Sequence, residues 1–227
     1  MTLDTLKIFI GLMTDTFSQN AGACLASLFS AFFGATCAMS FQRWKEKQKR
    51  IDEEHGAMVR CQMALIGQLN TLCNLKEQHL DPLRKDPARE RKLINFSMSD
   101  AGLRVAYDSL SFLLTTKNPM LLLDIHAAEQ SYISAMECLT WKTEAYEKMH
   151  DNSILEKSNP ETGACSVLLK DPRHLMQLKF VTDALYVAVD NACARLELQI
   201  KELQKAGKLL YPKKKFLEIA GRKPYGP

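Results

Sequence analysis

Glycine and proline are scarce, at ten and eight residues in a chain of 227. That scarcity excludes collagen-like and low-complexity character and argues against an all-β chain, which needs many turns. The sequence contains no CxxC pair, no HExxH, no GxSxG elbow, no Gly-rich phosphate loop and no kinase signature, so the common metal, hydrolase and nucleotide-handling classes lack support. The seven Cys are odd in number and widely scattered, which suits reduced thiols in packed cores rather than a disulfide framework. Asp124, His126 and Glu129 lie close in sequence, but their spacing does not bring them to one helix face, and the five His show no ligand spacing. We therefore assign no catalytic residue, no metal ligand and no cofactor, and expect no enzyme. The net charge is only +4, which does not favour nucleic acid as a partner.

What is plentiful points to helices. Leu, Ala, Met, Lys, Gln and Glu dominate, and 46% hydrophobic with 25% charged residues excludes wholesale disorder. The expected fold class is all-α: a single-pass transmembrane helix followed by a cytoplasmic bundle of about four helices. The expected divisions are a short amphipathic segment at 1–19, the span at 20–41, a long juxtamembrane helix at 42–80 that joins a bundle at 81–206, and a basic tail at 207–227.

The span rests on one absence. No charged residue occurs between Asp15 and Arg43, and a run of about 20 apolar residues is what a bilayer core requires. Trp44 and a basic cluster follow at once: Arg43, Lys45, Lys47, Lys49 and Arg50. Positive charge beside a span marks its cytoplasmic side, so the N-terminus is expected outside and the bulk of the chain in the cytoplasm, at a plasma or inner membrane. Within the span two ridges carry only small residues. Ala23, Ser27, Ala31 and Ala35 form one, and Ala26, Ser30, Gly34 and Ala38 the other. Small residues let two helix backbones approach closely in lipid, so self-association through this face is expected.

Ile51, Met58, Leu65 and Leu72 recur every seven residues as in a coiled coil, with His55 and Gln62 interrupting the seam. Intramolecular packing is the expectation for it. Asp81-Pro82 and Asp86-Pro87 break the chain, and a short basic helix is expected after them, at 87–95. Helices are then expected at 100–114, from Pro119 to about Met149, and from Asp171-Pro172 to a stop at Gly207. Residues 151–170 read as one long loop centred on Asn159-Pro160-Glu161-Thr162-Gly163. The tail holds Lys213, Lys214 and Lys215 beside Phe216 and Leu217, a pattern suited to an anionic lipid surface.

Function follows only in outline. The first expectation is a membrane-anchored helical interaction or regulatory protein whose bundle binds an unidentified cytoplasmic protein. The alternative is an oligomerising, membrane-disrupting effector held in check by its bundle. That layout is similar to small membrane-acting effectors of bacterial antiviral defence and toxin systems, a likeness of architecture that no residue motif carries. A membrane-proximal enzyme of unrecognised class is the third.

Overall fold

The computed structural model of the chain describes residues 3–93, 104–151, 153–158, 165–169 and 171–217, with side chains at Ser27 and over 29–93, 104–151 and 171–217. Helix α1 is Leu3–Leu75, α2 is Arg89–Lys92, α3 is Met120–Asp151 and α4 is Pro172–Leu210. Strands β1, Ser153–Ser158, and β2, Cys165–Leu169, form an antiparallel hairpin between α3 and α4. The chain divides into two compact units, Met1–Glu53 and Glu54–Pro227, and α1 contributes to both.

The first unit is helix alone as far as it is described. Phe29, Phe32, Phe33, Met39, Phe41 and Trp44 are all exposed, and a Cβ at Gly34 would meet nothing. Thr36 returns its hydroxyl to the carbonyls of Phe32 and Phe33, at 2.9 and 3.0 Å. That is how a helix hides a hydroxyl when no neighbour can take it. Among the described residues no helix is long and apolar enough to cross a membrane. The span expected at 20–41 is thus unsupported over its described part. Residues 1–19, Ala23 and Ala26 lie outside the described side chains.

The second unit is a helical bundle. Its core runs along the second half of α1 through Met58, Leu65 and Leu72, along α3 through Leu121, Ile125, Tyr132 and Leu139, and along α4 through Leu178, Leu185, Leu196 and Leu203, all buried. Each such side chain contributes about 1.5–3 kcal/mol on leaving water. Met58, Leu65 and Leu72 of the heptad seam are buried inside their own bundle. α1 ends where expected, in a π turn at Lys76–Leu80 and a 3-10 turn at Asp81–Leu83 that Pro82 opens. α4 starts with Asp171 as N-cap, accepting from the Arg173 amide at 2.9 Å, and Pro172 in the first turn.

Three expectations change. The helix expected at 100–114 is a 3-10 helix at Tyr107–Thr115, and 94–103 lie outside the described residues. Ser109, Thr115 and Thr116 bond the carbonyls of Ala106, Phe112 and Leu113, and such local bonds compete with the α-helical ladder. Among the described residues the bundle has three long helices, the second half of α1, α3 and α4. The loop expected at 151–170 contains the β-hairpin, with a register irregularity between Leu155 and Lys157; its turn-rich centre, 159–163, is outside the described residues. Gly207 does not stop α4, which continues to Leu210.

Gly207 serves a different purpose. A Cβ there would lie 2.4 Å from the Phe216 ring, so the missing side chain is what lets Phe216 pack on α4. The chain turns at Tyr211 and comes back against α1. Tyr211 Oη donates to Glu54 Oε2 at 2.6 Å, and His55 Nε2 hydrogen-bonds the Lys215 carbonyl at 2.9 Å. The fully buried Gln62 amide holds Leu217 by both backbone groups, donating to its oxygen at 2.7 Å and accepting from its nitrogen at 3.1 Å. The first part of the tail is thus a docked strap. Phe216 is buried under α4 and is not available as an interfacial anchor.

Candidate functional site

Among the described residues, α3 and α4 carry large apolar side chains that stay exposed. On α4, Met176, Phe180, Val187 and Leu198 recur at i, i+4, i+11 and i+22, whole numbers of turns, and all four are exposed. On α3, Leu123 and Trp141 stand five turns apart and are also exposed. Between the two helices lies a groove of about 420 Å³ with a floor of small side chains, among them Ala127, Ser131, Ser134 and Ala188. Asn191 and Arg195 give it polar edges, and Arg195 donates to Ser131 Oγ at 3.2 Å. Knobs and a groove therefore share one surface.

The opposite side of α3 is fixed from within. Glu129 is buried and accepts three bonds, from Gln68 Nε2 at 3.0 Å, the Val105 amide at 2.9 Å and Tyr107 Oη at 2.5 Å. Burial and this carboxylate push the Tyr107 phenol far up, so it stays a donor. The same two causes push the neighbouring Cys61 thiol up to about 12. The network ties α1, α3 and the 3-10 segment into one frame and holds them rigid.

A second network fixes α4. Asp190 receives Lys76 at 2.7 Å and Arg84 at 2.9 and 3.1 Å. Burial alone pushes the Asp190 carboxyl up, but the bonds from Arg84 and Lys76 outweigh it and hold the group below the ordinary carboxylate range. Arg84 and Arg89 both lie over the Tyr186 ring, 5.1 and 4.9 Å from its centroid, and Arg89 also reaches Asp183 at 2.6 Å. Asp81-Pro82 and the basic helix after it therefore act as a clip on α4.

The residues singled out from the sequence fall in two places. Ser27, Ser30, Ala31, Gly34, Ala35 and Ala38 are exposed on α1 in the first unit, as are Arg43, Trp44, Lys45, Lys47, Lys49 and Arg50. Lys213, Lys214 and Lys215 belong to the strap of the second unit, with Lys213 and Lys215 exposed and Lys214 half-buried. Among the described residues no three His, Cys, Asp or Glu side chains gather as a metal site. Sequence reasoning missed the α3–α4 face. Its signal was present as the Met176–Phe180–Val187–Leu198 spacing, which runs along the side of the same helix opposite its core stripe. No protein-family model, no curated protein and no solved structure matches the chain.

Proposed function

We propose that this protein is a membrane-anchored helical interaction module that assembles with copies of itself through the α3–α4 face. The observation that carries the reading is the exposed stripe of Met176, Phe180, Val187 and Leu198 beside a small-residue groove. A two-fold interface needs a surface complementary to itself, and knobs and groove on one face meet that need. Six exposed side chains at on the order of 100 Å² each come to roughly 600 Å², near the ~800 Å² per partner of a stable interface and at the upper limit of ordinary monomer patches. Anchoring is supported by the charge-free helical stretch of α1 and its exposed Phe side chains, which water disfavours. The basic residues from Arg43 to Arg50, which follow that stretch directly on α1, would lie at its anionic-lipid boundary.

The deciding experiment is light scattering of the full-length chain in detergent, native against Val187→Asp and Gly34→Ile. The native chain is expected as a dimer or higher assembly. Val187→Asp is expected to weaken it by at least tenfold, since a carboxylate would be desolvated at the interface. A native monomer, or an assembly indifferent to Val187→Asp, would overturn the docking of copies. An assembly broken only by Gly34→Ile, together with depolarisation of expressing cells, would favour the effector reading.

A further inference from the structure

We propose that Cys73 of α1 and Cys193 of α4 are a reversible dithiol switch, which a hydroperoxide oxidises to a disulfide that locks the two helices together. The pair lies within the bundle and does not depend on the assembly proposed above.

The register of two antiparallel helices brings the thiols face to face. Gln62 of α1 and Gln204 of α4 donate to the same Leu217 oxygen, at 2.7 and 3.2 Å. Further along, Lys76 meets Asp190 at 2.7 Å, and Tyr186 Oη donates to the Leu80 carbonyl at 2.8 Å. From Gln62 to Lys76 the number rises by 14, and from Gln204 to Asp190 it falls by 14; from there to Leu80 and Tyr186 the steps are four and four. Cys73 precedes Lys76 by three residues and Cys193 follows Asp190 by three. The same register therefore sets them opposite each other, about one turn from the ion pair. The two side chains share a thiol hydrogen bond.

Their surroundings give them different parts. Cys73 is half-buried, so an oxidant in water reaches it first. Cys193 is buried, and burial together with the Cys73 thiol pushes it up to about 12. It stays a protonated thiol, shielded from direct oxidation, until Cys73 has reacted.

The chemistry balances with hydrogen peroxide as the oxidant. The Cys73 sulfur attacks one peroxide oxygen, the O–O bond breaks, and the Cys73 proton leaves with the other oxygen as water. Cys73 is then a sulfenic acid. The Cys193 sulfur attacks the Cys73 sulfur, the S–O bond breaks, and the Cys193 proton leaves with the hydroxyl as a second water. Two electrons have passed from the thiols to the peroxide, and the sulfurs close from contact to a bond of about 2.05 Å. A small thiol reverses the step by exchange. The bond closes a loop of more than a hundred residues that includes α2, α3 and the hairpin, so the unfolded chain loses much of its freedom.

The test treats the full-length chain in detergent with hydrogen peroxide, alkylates the remaining thiols and maps its peptides by mass spectrometry without reduction. A peptide pair joined through Cys73 and Cys193, and released by dithiothreitol, is expected. Thermal melting should show Tm higher by about 5–15 °C after oxidation of the native chain, and no such rise for Cys193→Ser. In Cys193→Ser, Cys73 should instead halt as a sulfenic acid or pass to a sulfinic acid. The joined peptides are read on the native chain, so they count even where a variant misfolds. Recovery of Cys73 and Cys193 as alkylated thiols, joined peptides between other cysteines only, or a Cys73–Cys193 bond that leaves Tm unchanged would overturn the proposal.

Discussion

Lys142 sits on α3 with no exposed surface, its ammonium donating to the Leu93 carbonyl and lying 5.1 Å from the Tyr146 ring centroid. Burial lowers its pKa from 10.5 to about 8. Between those values the unfolded chain holds the proton and the folded chain does not, so this group adds stability as pH rises through about 8 and has added all it can by 10.5. The full effect is on the order of 3 kcal/mol. Cys61 and Cys193 act in the other sense, because burial pushes both thiols from 9 up to about 12 and the folded chain then keeps protons that the unfolded chain loses. Their opposition begins only near pH 9. Urea unfolding at pH 7.5, 8.5 and 9.5 should therefore show the native chain gaining on Lys142→Met with each step. A constant difference would show that the lysine is solvated.

At the scale of elements, the end of α4 makes the sharpest prediction. Gly207→Ala would raise helix propensity by about 0.5–1 kcal/mol, yet its methyl cannot coexist with the Phe216 ring. Losing that ring from its seat costs about 1.5–3 kcal/mol, so a net loss of about 1–2 kcal/mol is expected. The strap should come loose with it, and trypsin should cut at Lys213–Lys215 several times faster than in the native chain. The same elements show what the sequence made legible. Asp-Pro pairs placed the end of α1 and the start of α4 correctly, because a cap and a fixed φ act locally. The interruptions His55 and Gln62 looked like flaws in a heptad seam. They are the groups that hold Lys215 and Leu217, partners 160 and 155 residues away, and no local pattern announces such a pairing. The hairpin was hidden because Ile154 and Leu155 are adjacent apolar residues and break the two-residue alternation of a strand. Gly207 was read from its local meaning, and a close approach by a distant ring overrode it. The α3–α4 face was visible only once the buried stripe of α4 could be told from the exposed one.

For the whole molecule, the order in which the chain is made has its own consequence. Gln62 cannot meet Leu217, nor Lys76 meet Asp190, until the last helix exists, 155 and 114 residues later. At about 5–20 residues per second a ribosome needs roughly 8–30 s to cover the longer gap. Through that interval Met58, Leu65 and Leu72 lack much of the bundle that finally buries them. The half-made protein is therefore a sticky helix waiting for its cover. Ribosome-stalled chains ending before Asp171 should be protected by holdase chaperones and lost to aggregates without them, whereas full-length chains should not. Long-range closure that makes the finished bundle a single cooperative unit also sets the most hazardous moment of its synthesis.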